Sequence, residues 1–157
     1  MKPTLVIGAH TDPTRYAYKA IKRLRAHGDP VTAFGLRSGT VDDVEIETEW
    51  NENWKIDTVT LYINPQRQEG YTDKIIALKP KRVIFNPGTE NPEFIRELQQ
   101  AGIEAEVACT LVLLSLNNIK YKKADPELSQ IRLLNIIRIL LKGSASHHRK
   151  NRTCTFL

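Results

Sequence analysis

The chain has 157 residues, which suits one globular domain with a single hydrophobic core. Hydrophobic residues make up 41% of it and charged residues 26%, values that are typical of soluble globular proteins. We predict no transmembrane segment, because no stretch reaches the roughly 18 apolar residues of a membrane-spanning helix. The two cysteines are too few for a disulfide framework and suit a reducing compartment, so we expect a cytoplasmic protein.

The net charge of +5 is distributed unevenly along the chain. Residues 118–157 contain nine lysines and arginines but only two acidic residues, so this segment carries +7 and residues 1–117 carry −2. Because the excess positive charge lies in the tail, and no platform of aromatic and basic residues accompanies it, we expect no specific nucleic-acid binding.

Short apolar runs alternate with amphipathic segments along residues 1–117, which we interpret as one domain. In chain order, we predict a strand at 4–7, a helix at 13–27, a strand at 30–34, a short edge strand at 44–47, a strand at 57–63, a helix at 68–78, a strand at 82–85, a helix at 92–101, a strand at 105–107 and a helix at 109–116. Strands that alternate with helices of about 10–15 residues indicate βαβ units and a parallel sheet.

Residues 118–157 form a separate basic extension in this interpretation. Asp125-Pro126 is typical of a helix start, and the strongly apolar segment that follows predicts a helix over about 126–142. We favour a role for this helix in homo-oligomer formation or in docking on the core, and a basic amphipathic helix at an anionic membrane surface is the alternative. Residues 144–157 are predicted to be disordered.

The junction between the first strand and the first helix has the character of a phosphate site. Here Gly8-Ala9-His10-Thr11-Asp12-Pro13-Thr14-Arg15 follows the strand directly. Free backbone N–H groups and the positive end of a helix dipole both favour an anion at such a junction. His10 and Thr11 can add hydrogen bonds, and Arg15 can add positive charge. The alternative is that Gly8 only makes a tight turn.

The end of the second strand favours a phosphorylated ribose. NAD-binding domains usually place an acidic residue there to hold the ribose hydroxyls. This chain instead has Phe34-Gly35-Leu36-Arg37-Ser38, which contains no acid. Arg37 would suit the 3′-phosphate of CoA or the 2′-phosphate of NADP, and a solvated loop arginine is the alternative.

Three strands end in glycine or proline turns at the same edge of the predicted sheet. These turns are at Gly8, at Asn64-Pro65 and at Asn86-Pro87-Gly88. Because ligands of open parallel sheets bind outside the carboxyl ends of the strands, the three turns predict one binding site.

These segments resemble a known family. The patterns are Leu5-Val6-Ile7-Gly8-Ala9 with Pro13-x-Arg15, then Asn86 to Asn91, then Glu106 to Val112. Together they resemble the CoA-binding domain proteins, which are related to the nucleotide-binding domain of the succinyl-CoA synthetase α subunit, over about residues 3–117. The resemblance implies a three-layer α/β domain of Rossmann type, with a mainly parallel five-stranded sheet and an ADP-like group at the first turn.

The resemblance also implies positions for the parts of a bound CoA. The pyrophosphate would lie among Gly8, Ala9, His10, Thr11 and Arg15; the ribose phosphate near Gly35, Leu36 and Arg37; the adenine or ribose beside Ile63, Asn64 and Pro65; and the pantetheine beside Asn86, Pro87 and Gly88. The chain departs from the family pattern at His10, where serine is usual, and at Phe34-Gly35-Leu36, where Val-Asn-Pro is usual. The resemblance does not extend to the phosphohistidine-bearing second domain of the synthetase, so it does not imply ligase activity.

No set of residues predicts catalysis or a metal site. Cys109 has apolar neighbours and is expected to be an inert, buried thiol. We also expect Trp50 and Trp54 to pack a lid-like loop. The sequence therefore predicts a non-catalytic binding or regulatory module for CoA or acyl-CoA. A small NADP-dependent oxidoreductase is the alternative, although Tyr62 and Lys74 are not spaced as a proton-transfer pair.

Overall fold

The structure is a computed structural model that describes residues 2–116 of the chain. The predictions for residues 118–157, namely a helix, a disordered tail and an oligomer contact, lie outside the described residues.

Seven strands form one sheet in the described part of the chain. They are β1 (Thr4–Ile7), β2 (Val31–Phe34), β3 (Thr40–Val41), β4 (Val44–Glu47), β5 (Thr58–Leu61), β6 (Arg82–Phe85) and β7 (Glu104–Val107). Their spatial order is β3-β4-β2-β1-β5-β6-β7, and every neighbouring pair is parallel except β3 and β4. The predicted Rossmann-like α/β class is confirmed.

The resemblance implied five strands, and the sheet has two more at one edge. One of them, β4, is the edge strand predicted at 44–47, and the other, β3, was not predicted. β4 pairs with β2 in parallel, so the chain must return across the sheet edge before it starts β4. It does so through β3 and a tight turn at Asp42-Asp43, where Asp42 has a φ of 53°. Aspartate tolerates this left-handed conformation better than most residues.

Five helices accompany the described strands: α1 (Tyr16–Ala26), α2 (Pro65–Gln68), α3 (Thr72–Ala77), α4 (Pro92–Gln100) and α5 (Thr110–Ser115). The single helix predicted at 68–78 is divided into α2 and α3, which are separated by Gly70. The glycine lowers helix propensity at this point. In contrast, α4 begins where the sequence predicted, with proline at its start and the Asn91 side chain as its N-cap.

Apolar residues pack on both faces of the sheet and produce three layers. On one face, Val6 and Ala33 of the sheet pack with α1 and with Leu114 of α5. On the other face, Leu5 and Val59 pack with residues of α3 and α4. The central strands are buried on both faces, as expected of parallel strands that are covered by helices on each side.

The connection from β4 to β5 covers the sheet with aromatic side chains instead of a helix. Trp50 and Trp54 lie in this connection, with ring centroids 5.2 Å apart. The Phe34 ring lies 5.4 Å from Trp50 and 5.5 Å from Tyr71, both in edge-to-face geometry. This aromatic cluster agrees with the expectation that the tryptophans pack a loop, and it fixes Phe34 at the end of β2.

Candidate functional site

The site lies at the carboxyl edge of the sheet, where the chain order reverses. β1 is flanked by β2 on one side and by β5 on the other, so the connections leaving β1 and β5 diverge. A crevice opens at such a switch point in parallel sheets, and it is the usual place for a ligand. The turn after β1, residues 8–15, is called the glycine turn below. The glycine turn lies at this switch point.

Gly8 is required by the fold itself. Its φ is 92°, and a Cβ atom at this position would lie 2.9 Å from the carbonyl carbon and oxygen of Tyr62. Because the obstructing atoms are backbone, a side chain could not be accommodated by a rotamer change. The glycine therefore lets β1 and β5 end side by side.

The first two N–H groups of the glycine turn are already engaged. The backbone N–H groups of Gly8 and Ala9 both donate to the carbonyl oxygen of Phe34, at 2.9 Å each. The donors that remain for an anion therefore come from the residues after Ala9. Gly8 and Ala9 shape the turn, and the hydrogen-bonding capacity lies further along it.

His10, the unusual residue of the turn, has a local structural partner. Its Nδ1 accepts the backbone N–H of Asp12 at 2.9 Å. A ring nitrogen that accepts carries no proton, so the neutral imidazole has its proton on Nε2. His10 thus closes the turn with one nitrogen and keeps an N–H donor on the other.

The N-terminus of α1 is open to an anion. No described side chain caps it, and its first turn contains no acidic residue. Arg15, immediately before the helix, is exposed and lies 4.0 Å from the Asp12 carboxylate. Two hydrogen bonds from Thr14 to this carboxylate lower the pKa of Asp12. The helix end and Arg15 offer positive charge, and the Asp12 carboxylate is engaged in forming the turn.

The loop after β2 packs directly on the glycine turn. A Cβ atom on Gly35 would lie 2.4 Å from the Ala9 carbonyl oxygen, and one on Gly39 would lie 2.4 Å from Cγ2 of Thr11. Residues 35–39, called the Arg37 loop, are thus held against the turn at both ends. Leu36 is 76% exposed, and Arg37 is also exposed.

The residues predicted after β5 lie at the same edge. Ile63 Cγ2 would be 3.0 Å from a Cβ atom on Gly8, so it borders the glycine turn. Asn64 is the N-cap of α2, where its Oδ1 accepts the backbone N–H of Arg67 at 3.1 Å. Pro65 is the first residue of that helix. The structure thus brings Ile63 to the turn and engages the Asn64 side chain in a cap.

Asn86 is a buried structural residue. Its Nδ2 donates to Thr60 Oγ1 at 2.8 Å and to the Leu61 carbonyl oxygen at 2.9 Å. Its Oδ1 accepts the backbone N–H of Thr110 at 2.9 Å. The Asn86 side chain therefore joins β5, β6 and the start of α5. Gly88, two residues later, is exposed at the edge of the site.

Sequence reasoning missed two features of this edge, namely the buried hydroxyl of the half-buried Tyr62 and the completely buried side chain of Gln68. Burial raises the pKa of Tyr62 to about 12, and the hydroxyls of Thr110 and Thr60 oppose this rise only in part. Gln68 has no exposed surface, and its Nε2 donates to two backbone carbonyl oxygens. Glutamine is usually exposed, so composition and periodicity offered no signal for either contact.

The alternative oxidoreductase pair is not assembled. Lys74 Nζ lies 5.8 Å from the centroid of the Tyr71 ring, not beside Tyr62. Cys109 is a free, half-buried thiol at the N-cap of α5. The raised pKa of Tyr62 makes its phenol a poor proton donor near neutral pH.

The strand order, the switch point and the glycine turn define the class of this domain as Rossmann-type α/β. Within that class, residues 2–115 match the family described as CoA binding domain, and the chain belongs to this family. The crystal structure of an uncharacterized protein is similar, with 48% identity and a TM-score of 0.73 over 75% of this chain and 98% of that one.

More distant structures share the fold. A protein from Thermus thermophilus is 24% identical, with a TM-score of 0.67 over 74% of this chain and 90% of that one. A dinucleotide-forming acetyl-coenzyme A synthetase from Ca. Korarchaeum cryptofilum is 15% identical, with a TM-score of 0.56 over 68% of this chain and 25% of that one. No curated protein matches the chain. Among the described residues, no helix has the length and apolar character needed to cross a membrane.

Proposed function

We propose that residues 2–116 bind CoA or an acyl-CoA at the carboxyl edge of the sheet. The observation that carries this proposal is the packing of the Arg37 loop on the glycine turn. This packing holds the loop that carries the exposed Arg37 against the turn that leads into the uncapped α1. Membership of the CoA-binding domain family identifies the class of ligand that suits such a site.

The proposed position of the pyrophosphate depends on which hydrogen-bond donors of the glycine turn are not already bonded to the protein. The pyrophosphate meets the side chains of His10, Thr11 and Arg15 and the start of α1. Gly8 and Ala9 contribute the shape of the turn, because their N–H groups bond to Phe34.

The rest of the ligand lies along the neighbouring strand ends. Gly35, Leu36 and Arg37 border the ribose, and the Arg37 guanidinium pairs with its 3′-phosphate. Ile63, Asn64 and Pro65 flank the adenine. Pro87 and Gly88 border the pantetheine, beside the buried Asn86 side chain.

The protein is, in this proposal, a binding or regulatory module of the cytoplasm rather than an enzyme. The two candidate groups near the site support it. Tyr62 has a pKa of about 12, and Cys109 is a single half-buried thiol. A phenol with so high a pKa keeps its proton near neutral pH.

NADP is the alternative ligand, because Arg37 could also pair with a 2′-phosphate. Isothermal titration of the full chain with CoA, acetyl-CoA, NADPH and NAD separates the two. We expect CoA or acetyl-CoA to bind with the highest affinity and NAD with the lowest. Binding of NADPH without binding of either CoA species would overturn the proposal.

Dephospho-CoA tests the role of Arg37 directly, because it lacks only the 3′-phosphate. We expect Arg37→Ala to weaken CoA binding by about ten-fold, since a charge-assisted hydrogen bond is lost, and to leave dephospho-CoA binding nearly unchanged. Arg96→Ala is the matched control, because Arg96 is exposed on α4 and bonds only to the Pro92 carbonyl oxygen. An equal loss for both ligands would contradict the assignment of Arg37 to the phosphate.

A further inference from the structure

Gln68 joins two loops that leave neighbouring strands. Its Nε2 donates to the Ile63 carbonyl oxygen at 3.0 Å and to the Thr89 carbonyl oxygen at 2.7 Å. Ile63 follows β5, and Thr89 lies in the loop after β6. One amide group, without any exposed surface, thus spans the gap between these two loops at the carboxyl edge.

Both ends of this connection are themselves fixed. On the β6 side, the Thr89 N–H and hydroxyl donate to the Asn86 carbonyl oxygen at 2.9 Å and 2.8 Å. On the β5 side, Gln68 ends α2, whose first turn is capped by Asn64. Gln68 is therefore the link between two rigid segments.

The chemistry of the link requires a side-chain amide. Two carbonyl oxygens are acceptors, and the Nε2 of glutamine supplies two donors from a single atom. A glutamate carboxylate would place a third acceptor between them. A methionine would fill the same volume and supply no donor.

We propose that Gln68 is a positioning residue that sets the separation between the adenine and pantetheine parts of the site, and so favours ligands that occupy both. This inference rests on the proposed function, in which Ile63 to Pro65 contact the adenine and Pro87 and Gly88 contact the pantetheine. Gln68 touches neither part of the ligand and acts through the two backbone carbonyls.

A comparison of two ligands tests the proposal. CoA spans both parts of the site, and 3′-phosphoadenosine 5′-diphosphate, which is CoA without its pantetheine, occupies the adenine part alone. In Gln68→Met, we expect CoA affinity to fall by about ten-fold and the fragment to bind within about two-fold of its original affinity. Gln66→Met is the control, because Gln66 is exposed in the same helix, and it should change neither affinity.

The ratio of the two affinities separates positioning from general stability. Measurements are made on the full chain, at a temperature well below the melting point of the variant. Equal losses for CoA and the fragment, or no loss for either, would overturn the inference and leave CoA binding by the unmodified protein standing.

A second variant covers a failure of Gln68→Met to fold. Gln68→Asn keeps the amide on a shorter arm, which reaches only one of the two carbonyls, and it should lower CoA affinity selectively as well. If neither variant folds, Gln68 acts in stability alone and the inference is wrong. If the unmodified chain binds the fragment and CoA equally weakly, or not at all, the proposed function itself fails.

Discussion

The two halves of the carboxyl edge are built in opposite ways. Around β1 and β2, the chain segments approach closely because glycines leave out side chains, and the arginines point outward as exposed groups. Around β5 and β6, the loops are joined by hydrogen bonds from the buried amides of Gln68 and Asn86. We therefore expect added side-chain atoms to destabilise the first half, and lost hydrogen bonds to destabilise the second.

The largest expected effect is in the amide-built half. Asn86→Leu keeps the approximate volume but leaves the Leu61 carbonyl and the Thr110 N–H without their partner. We expect the free energy of unfolding to fall by about 3–4 kcal/mol, because each buried polar group that is left unpaired costs about 1–3 kcal/mol.

Urea unfolding at neutral pH measures this loss. Asn53→Leu is the control, because Asn53 is exposed, and it should change the stability by less than about 0.5 kcal/mol. If the two substitutions cost the same, the Asn86 side chain does not hold β5, β6 and α5 together.

The next effect is in the glycine-built half. Gly8→Ala should destabilise the fold by about 2–3 kcal/mol, because alanine is strained at positive φ and its Cβ would press on the Tyr62 backbone. Gly70→Ala is a matched control, since nothing lies within 4 Å of its added Cβ.

Thermal melting of both glycine variants would show the difference. Gly70→Ala is expected to be neutral or slightly stabilising, because alanine restricts the unfolded chain. A Gly8→Ala protein as stable as the original would show that β1 and β5 can separate at this edge, and the close-approach account of this half would then be wrong.

Tyr62 lies where the two halves meet, and removal of its hydroxyl should have the smallest effect on stability at neutral pH. Its folded pKa of about 12 lies above the ordinary tyrosine value of 10.0, so the unfolded chain loses the proton first as the pH rises. The stabilising contribution of the neutral phenol is therefore complete below pH 10 and is lost between about pH 10 and 12.

Tyr62→Phe removes this ionisation. The variant should lose about 2 kcal/mol less stability than the original chain over that pH range, since each pKa unit corresponds to about 1.4 kcal/mol. Tyr16→Phe, at a ring that is 67% exposed, provides the comparison for unfolding measurements at pH 9 to 12. If the original chain and Tyr62→Phe lose the same free energy of unfolding between pH 10 and 12, the hydroxyl of Tyr62 is not buried.

Much of the glycine-built half could be predicted from the sequence. Gly8 after an apolar run and an arginine after the second strand are local signals, and each reports on the backbone beside it. The helix predicted from residue 13 begins instead at Tyr16, because hydrogen bonds to Asp12 close a turn over Asp12 to Arg15. The parallel sheet followed in the same way from the alternation of strands and helices. The edge strand predicted at 44–47 is β4, whereas β3, with only two residues, is too short to give a periodic pattern and was not predicted.

The amide-built half was hidden because its contacts join residues that are far apart in the chain. Gln68 and Thr89 are separated by 21 residues, and Asn86 and Thr110 by 24. Sequence reasoning correctly placed Asn86 at the carboxyl edge of the sheet. It could not show that the Asn86 side chain is buried between β5 and α5. A polar residue in a short helix gives the same pattern whether it is exposed or completely buried.

The sequence by itself determined the class of fold and the edge of the sheet at which the turns after β1, β5 and β6 meet, because these depend on local conformation and on the alternation of strands and helices. Only the tertiary structure decided which donors are free. It showed that Phe34 takes the first two N–H groups of the turn, that His10 closes the turn through Nδ1, and that Gln68 ties two loops together. The bonds from Gly8 and Ala9 to Phe34 and from Gln68 to Thr89 form only when distant segments of the chain pack together, which no local pattern in the sequence encodes.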